Sequence, residues 1–154
     1  MPHTNSQDIF FMQEALGLAK KAYLLGEVPV GAVAVFNDAI IGKGYNSPIA
    51  LNDPTSHAEI MTLREATQQL NNYRLGNVDL YVTLEPCLMC IGAMLHARIR
   101  RLIFGATDPK AGAIVSVFNI LDERKLNHKI GFTAGVLALE CGNILTNFFR
   151  SKRL

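Results

Sequence analysis

The sequence predicts an α/β domain, and three observations carry that expectation. Apolar residues recur at helical spacing near residues 8 to 25 and again at 137 to 148. A continuous valine-rich run spans Val28 to Phe36. Strand-like runs then alternate with helical stretches along the chain. An unbroken apolar strand implies a sheet covered on both faces, with helices as the cover. The 154 residues suit one domain, taken as 1–154, and no repeat or linker divides them. With 49% hydrophobic and 18% charged residues, the chain can build a core, and broad disorder is excluded.

The elements follow in order. Met12, Ala15, Leu16, Ala19, Ala22 and Tyr23 form one face of a first helix over 8–25. Val28 to Phe36 reads as a buried strand, and Asn37-Asp38 as a turn into a second strand, Ala39 to Tyr45. Residues 46–56 hold two prolines with Asn46, Asn52 and Asp53, which predicts a loop. A second helix is expected over 57–70. Ser56 would be its N-cap, and Glu59 stands at capping-box spacing from it. Val78 to Thr83 is a third strand. A helix starting near Pro86 follows, since proline is tolerated in a first turn. Arg101 to Ala106 is a fourth strand, 107–129 a mixed loop, Ile130 to Thr133 a short fifth strand, and Val136 to Arg150 the last helix. Leu137, Cys141, Ile144, Leu145 and Phe148 make its apolar stripe, which assigns Cys141 to the core.

The net charge of +2 hides an asymmetry: −4 over residues 1–97 and +6 over residues 98–154. A basic half points towards a polyanionic partner, and solvated surface charge is the plainer account of it. The polar start of the chain has no signal-peptide pattern, and no apolar run approaches the roughly 20 residues of a spanning helix. The expectation is a cytoplasmic protein with no membrane contact. Three cysteines, an odd and low count, do not suit a disulfide framework.

The chemistry sits in a split motif, His57-Ala58-Glu59 and Pro86-Cys87-Leu88-Met89-Cys90. Cysteines at i and i+3 share one side of a helix, so both sulfurs can reach one ion. One imidazole and two thiolates make a three-ligand zinc site, the catalytic number, with one coordination position open. The other histidines, His3, His96 and His128, have no chelate spacing with the cysteine pair. His57 and Glu59 are two residues apart and cannot share a helix flank. Both reach one site only if it lies over the helix end, which puts Glu59 beside the metal as a proton carrier and not as a ligand. Such equipment adds water to an amino-bearing carbon and releases ammonia. Each half alone is weak: a lone CxxC is also a redox pair or half a structural zinc site, and Glu59 alone is also a capping residue. Phe149, Arg150, Lys152 and Arg153 at the end of the last helix suit nucleic-acid stacking and phosphate contact, and equally an ordinary solvated basic terminus.

With this motif the chain resembles the zinc-dependent nucleobase deaminases, whose signature it carries. The resemblance is to the bacterial tRNA-specific adenosine deaminase family. It extends over roughly residues 8 to 150 through Glu27 to Val33, Asp53-Pro54-Thr55, His57 to Met61, Asn72 to Leu75, Leu80 to Cys90 and Phe148-Phe149-Arg150. It implies a three-layer α/β/α sandwich of the cytidine deaminase type with a central five-stranded mixed sheet. It also implies a homodimer and one Zn²⁺ per subunit. The implied reaction is conversion of the wobble adenosine of the tRNA-Arg anticodon stem-loop to inosine. His57, Cys87 and Cys90 match the metal ligands, and Glu59 the proton shuttle. Asn46, Ala58, Asp108, Asn127, Phe149 and Arg150 fall where the family binds its substrate. Without the resemblance, Asp108 and Asn127 read as turn and loop residues near Pro109 and Lys129. Two departures stand out. Val115 replaces a glycine common before the serine of this loop, and valine disfavours positive φ, so a different loop path is expected. Some relatives also carry a longer basic tail than the end at Leu154. Two alternatives share the motif: deamination of a free base or nucleoside such as guanine or cytidine, and a non-catalytic RNA-binding module with structural zinc.

Overall fold

The computed structural model describes residues 5–153; His3 and Leu154 lie outside them. The elements are α1 (Ser6–Leu24), β1 (Gly31–Phe36), β2 (Ala39–Tyr45), α2 (Pro48–Leu51), α3 (Ala58–Leu70), β3 (Asp79–Leu84), α4 (Leu88–Ala97), β4 (Arg101–Ala106), a 3₁₀ turn (Ile120–Asp122), β5 (Gly131–Thr133) and α5 (Ala138–Lys152). They form one mixed sheet of order β2-β1-β3-β4-β5. β1 runs antiparallel to β2 and β3, whereas β3, β4 and β5 are parallel.

Strand alternation sorts the core into two layers. Ala32, Ala34, Leu80, Val82, Leu102 and Phe104 face α3 and α4, packing on Ala58, Leu63, Ala66, Ile91 and Met94. Val33, Val35, Tyr81 and Ile103 face α1 and α5, packing on Phe11, Met12, Ala15, Leu16 and Cys141. Burial of each large side chain contributes about 1.5–3 kcal/mol. This is the expected three-layer sandwich, with Cys141 in its core.

Local chemistry sets the connections. Asn37 and Asp38 both take positive φ, 50° and 62°. Two such residues give the turn whose twist matches a hairpin, so the β1–β2 connection is tight. A register shift between Ala34 and Val35 bends the pair. Gly31 is required by close approach. A Cβ there would overlap the Ala15 carbonyl oxygen and stand 2.5 Å from the Ala19 nitrogen, so only glycine lets α1 lie this low on the sheet.

Some expected boundaries shift. The first strand begins at Gly31 and not at Val28, because Pro29 has no N–H and the Val30 N–H donates back to the Val28 carbonyl at 2.9 Å. The expected loop over 46–56 contains the short α2. His57, and not Ser56, is the N-cap of α3, since the Ser56 hydroxyl donates to the Asp53 carbonyl. The capping-box role of Glu59 therefore falls away. Pro86 precedes α4, whose N-cap is Cys87.

At the end of the sheet where β3 and β4 begin, charges are paired. Asp8, 1% exposed, accepts from the Tyr81 hydroxyl at 2.7 Å and from both terminal nitrogens of Arg101 at 3.2 and 2.6 Å. Arg100 makes a two-pronged pair with Asp79, both bonds 2.9 Å. This network ties α1 to the sheet at the end away from the split motif.

Candidate active site and metal centre

Past the other ends of the strands, the starts of α3 and α4 meet. His57 and Cys87 are the N-caps of these helices, both with extended backbone (φ −67°, ψ 157° and φ −83°, ψ 173°). An N-cap side chain leaves the helix at its end, so each points into the space between the two helix starts. Cys90, one turn into α4, completes the group. The His57 Nδ1 atom lies 3.6 Å from the Cys87 sulfur and 3.5 Å from the Cys90 sulfur. The three ligand atoms all stand within 4.8 Å of one another, the one such metal-ready cluster among the described residues. Cys90 is fully buried, whereas His57 and Cys87 are half-buried, which leaves an accessible side to the group.

Without a metal the three groups hold their protons unevenly. A hydrogen bond from the Cys90 thiol, together with one from His57, pulls the Cys87 thiol down to about 4 against the opposing effect of burial. Its thiolate partner and burial push Cys90 up, and the hydrogen bond with Cys87 pushes His57 up. The sulfurs thus share a proton as a coupled pair. Glu59 follows His57 by two residues and is 4% exposed. Burial pushes its carboxyl up to about 7, opposed by its own backbone N–H and by the His57 charge.

The remaining sequence-predicted residues fall around this centre unevenly. The Asn46 side-chain oxygen accepts from the Ala58 N–H at 2.8 Å, so Asn46 caps α3 from outside the helix. Ala58 is fully buried. Asp108 follows β4; its Oδ1 accepts from the Lys110 and Ala111 N–H groups at 3.0 and 3.3 Å, a turn role within its own loop. Asn127 is exposed and lines a separate cleft of about 360 Å³ with Arg74, His96, Arg98 and His128. Phe149 and Arg150 are exposed on α5. It is Phe148, with Lys152, that shares a cavity of about 300 Å³ with Asn46, Val28, Pro48 and Ile49. Val115 takes no positive φ, and its N–H is hydrogen-bonded at 2.9 Å, so the valine fits its loop without strain.

Two buried carboxylates near the site escape sequence reasoning. Glu27 accepts from the N–H groups of Ile49 and Ala50 at 3.2 and 2.8 Å and so holds α2 beside Asn46. Glu85 accepts from the N–H groups of Asp108 (3.0 Å), Ile114 (3.0 Å), Val115 (2.9 Å) and Ser116 (3.1 Å), and from the Ser116 hydroxyl. Burial opposes its ionisation, but the Ser116 hydroxyl and these N–H groups hold the carboxyl below its ordinary value. The one sequence signal was a glutamate next to Pro86, at the end of an apolar strand.

Comparison with known proteins agrees with this geometry. The family model described as MafB19-like deaminase matches residues 5–153. A tRNA-specific adenosine deaminase of Haemophilus influenzae is 56% identical over 144 residues, covering 92% of this chain and 83% of the relative. One from Streptococcus pyogenes serotype M1 is 42% identical over 153 residues, covering 99% and 90%. A solved structure from studies of A-to-I editing by tRNA:A34 deaminases superposes with TM-score 0.86 at 43% identity, covering 88% of this chain and 99% of that one. A guanine deaminase from Nitrosomonas europaea superposes with TM-score 0.77 at 23% identity, covering 96% and 87%, a likeness of fold alone. With the family model spanning nearly the whole length and the sequence identities this high, the chain belongs to the MafB19-like deaminases and, within them, to the tRNA-specific adenosine deaminases.

Proposed function

We propose that this protein hydrolytically deaminates adenosine to inosine at position 34, the wobble position, of a tRNA anticodon, with tRNA-Arg as its substrate and one zinc ion per subunit. The observation that carries the reading is the His57–Cys87–Cys90 group in a chain 42–56% identical to tRNA-specific adenosine deaminases. A tetrahedral zinc with bonds of about 2.05 Å to nitrogen and about 2.3 Å to sulfur separates those ligands by about 3.6 Å. The His57 nitrogen stands 3.6 and 3.5 Å from the two sulfurs, so the donor set fits. Two thiolates and a neutral imidazole also balance a divalent charge.

When bound there, zinc supplies Lewis acidity that lowers the pKa of a water ligand from about 15.7 towards about 7. Glu59 accepts the proton of the attacking water and delivers it to a ring nitrogen of the purine, then helps protonate the departing amino group. Water adds at the amino-bearing carbon and ammonia leaves. Burial raises this carboxyl in the metal-free site, which makes Glu59 a stronger proton acceptor than an ordinary carboxylate. With its oxygen engaged by Ala58, Asn46 offers its side-chain NH₂ to a base entering beside α3. The Phe148–Lys152 cavity adjoining Asn46 offers an aromatic edge and a cation to the RNA. Asp108, Phe149 and Arg150, and Asn127 in its separate cleft, serve as further RNA contacts.

A homodimer fits the face between α3 and α4, where Ile60, Ala93 and Tyr73, with Arg64, Thr67 and His96, line an open groove of about 380 Å³. Sedimentation equilibrium reads the subunit count. Among the described residues no helix is long and apolar enough to cross a membrane. The cytoplasm, where tRNA is modified, is the proposed place of action.

The test is mass analysis of nucleosides after incubating the metal-loaded protein with a tRNA-Arg anticodon stem-loop, free guanine and free cytidine. Inosine at position 34 is expected. Turnover of guanine or cytidine without inosine in the RNA would overturn the substrate in favour of a free base or nucleoside. Unchanged RNA binding with no turnover of any substrate would leave a binding module with structural metal. Elemental analysis should find one zinc per chain, and His57→Ala should abolish it.

A further inference from the structure

We propose that Glu85 is a positioning residue for the RNA substrate. Its buried carboxylate is the template on which the 108–116 loop folds, fixing the Asp108 edge of the site to the segment that carries Cys87. The inference rests on the tRNA-deaminase reading for its substrate.

Glu85 is 2% exposed, so RNA cannot touch it and any effect it has on RNA must pass through other residues. Oε1 accepts from the Asp108 N–H and the Ser116 hydroxyl, at the two ends of the loop. Oε2 accepts from three successive N–H groups, Ile114, Val115 and Ser116. Successive N–H groups turned to one point form an anion-binding nest, and here the chain fills the nest with its own carboxylate. The Glu85 N–H donates to the Ala106 carbonyl at 2.8 Å and the Ala113 N–H to the Pro86 carbonyl at 2.9 Å, so the backbones are stitched on either side of the carboxylate. Cys87 is the next residue. Any displacement of the nest therefore moves Asp108 relative to the metal ligands.

A second, independent feature points the same way. Gly112 lies across the loop from the carboxylate, and a Cβ built there would stand 2.5 Å from Oε2 and closer still to Oε1 and Cδ. Its φ is not positive, so alanine has no backbone objection to the site. The absence of a side chain at 112 leaves the carboxylate the room it occupies.

The experiment is steady-state kinetics of the zinc-loaded protein on the anticodon stem-loop, with amide hydrogen exchange on the same samples. Glu85→Gln turns an NH₂ against N–H donors, and Gly112→Ala pushes the carboxylate out of its nest. Each should raise KM about tenfold while kcat stays within about threefold, the pattern of lost substrate positioning. Zinc should remain at one per chain, and the amides of 108 and 114–116 should exchange faster. The double variant should be no worse than either single one, because both act on one carboxylate. Ser116→Ala, which removes one of the five bonds, should raise KM by about two- to threefold and covers the case that a stronger variant fails to fold. Asp8→Asn, at the far end of the sheet, should lose stability with KM unchanged.

Unchanged KM in all three loop variants would overturn the proposal. So would a fall in kcat in step with lost zinc, which would place the effect on the metal ligands and not on the RNA edge. If the wild type makes no inosine in the stem-loop, the tRNA reading fails by itself. Amide exchange then decides on Glu85, and unchanged protection at 108 and 114–116 in Glu85→Gln would overturn its role as a template.

Discussion

Replacing Glu59 by glutamine should make the metal-free protein more stable and the metal-loaded protein nearly inactive. Glu59 is 4% exposed, and burial lifts its carboxyl from the ordinary 4.5 to about 7. A raised carboxyl pKa means the fold prefers the neutral acid. The stability it allows is complete below about 4.5 and is lost as pH rises through about 7. At about 1.4 kcal/mol per pH unit, the wild type carries a penalty of about 3 kcal/mol at pH 8 and about 1 kcal/mol at pH 5. Glutamine has nearly the same shape and no charge to bury, so it carries no such penalty. Urea denaturation of chelator-treated protein, followed by circular dichroism, should show Glu59→Gln more stable by up to about 3 kcal/mol at pH 8, with the gap closing towards pH 5. In the zinc-loaded protein the same variant should lose at least about 100-fold in turnover, the range for a missing proton carrier. A gap of equal size at both pH values would refute the reasoning, as would a variant no more stable than the wild type at pH 8. Either result would mean that the burial of Glu59 does not strain its charge.

Further outcomes follow from other contacts. Gly31→Ala should cost about 2–3 kcal/mol in urea unfolding, because the new methyl meets the α1 backbone and not a movable side chain. Asp8→Asn should cost about 2 kcal/mol, since Arg101 loses its buried counter-charge and one of the two acceptor oxygens becomes an NH₂ donor; an unchanged unfolding midpoint would contradict a stabilising role for this network. Glu27→Gln should raise KM for the stem-loop severalfold at little cost in stability, by loosening the Ile49 and Ala50 N–H groups beside Asn46. If the basic second half grips phosphates, stem-loop affinity should fall at least about tenfold between 50 and 200 mM salt, and a flat response would contradict it.

What the sequence made legible was local. Asn37-Asp38 announces a tight hairpin, and the predicted second and fourth strands coincide with β2 and β4. The cysteine spacing and the His-x-Glu pair are readable because three residues, or two, suffice to fix their relative directions at a helix start. What stayed hidden was every contact made across the chain. α3 is capped by Asn46 from twelve residues away, so the expected Ser56 cap, though right in composition, lost to a distant side chain. α2 is too short to show periodicity and is held by Glu27 from more than twenty residues upstream. The donors to Glu85 lie 23 to 31 residues along the chain, and no spacing rule reaches that far. The Phe148–Phe149 pair shows the same limit: the stripe placed both at the end of α5, but only the fold decides that Phe148 turns towards the Asn46 cavity.

Glu59 and Glu85 show how one residue type comes to serve two purposes in one site. Both are nearly closed to solvent, 4% and 2% exposed, but Glu59 lies deeper in the protein, so desolvation opposes the charge of both and weighs more on Glu59. Their carboxyls nevertheless move in opposite directions, Glu59 up to about 7 and Glu85 below its ordinary value. The difference lies in depth first, and then in the supply of hydrogen-bond donors. Glu85 receives four backbone N–H groups from a loop and a hydroxyl, enough to keep the anion as a fixed structural charge. Glu59 is offered its own N–H and the neighbourhood of His57 and the thiols, which is not enough to offset burial. A carboxylate saturated with donors has no reason to take a proton, and one starved of them can both take and return it. On the proposed mechanism proton transfer falls to the deeper carboxyl with few donors, and loop architecture to the one the fold surrounds with them.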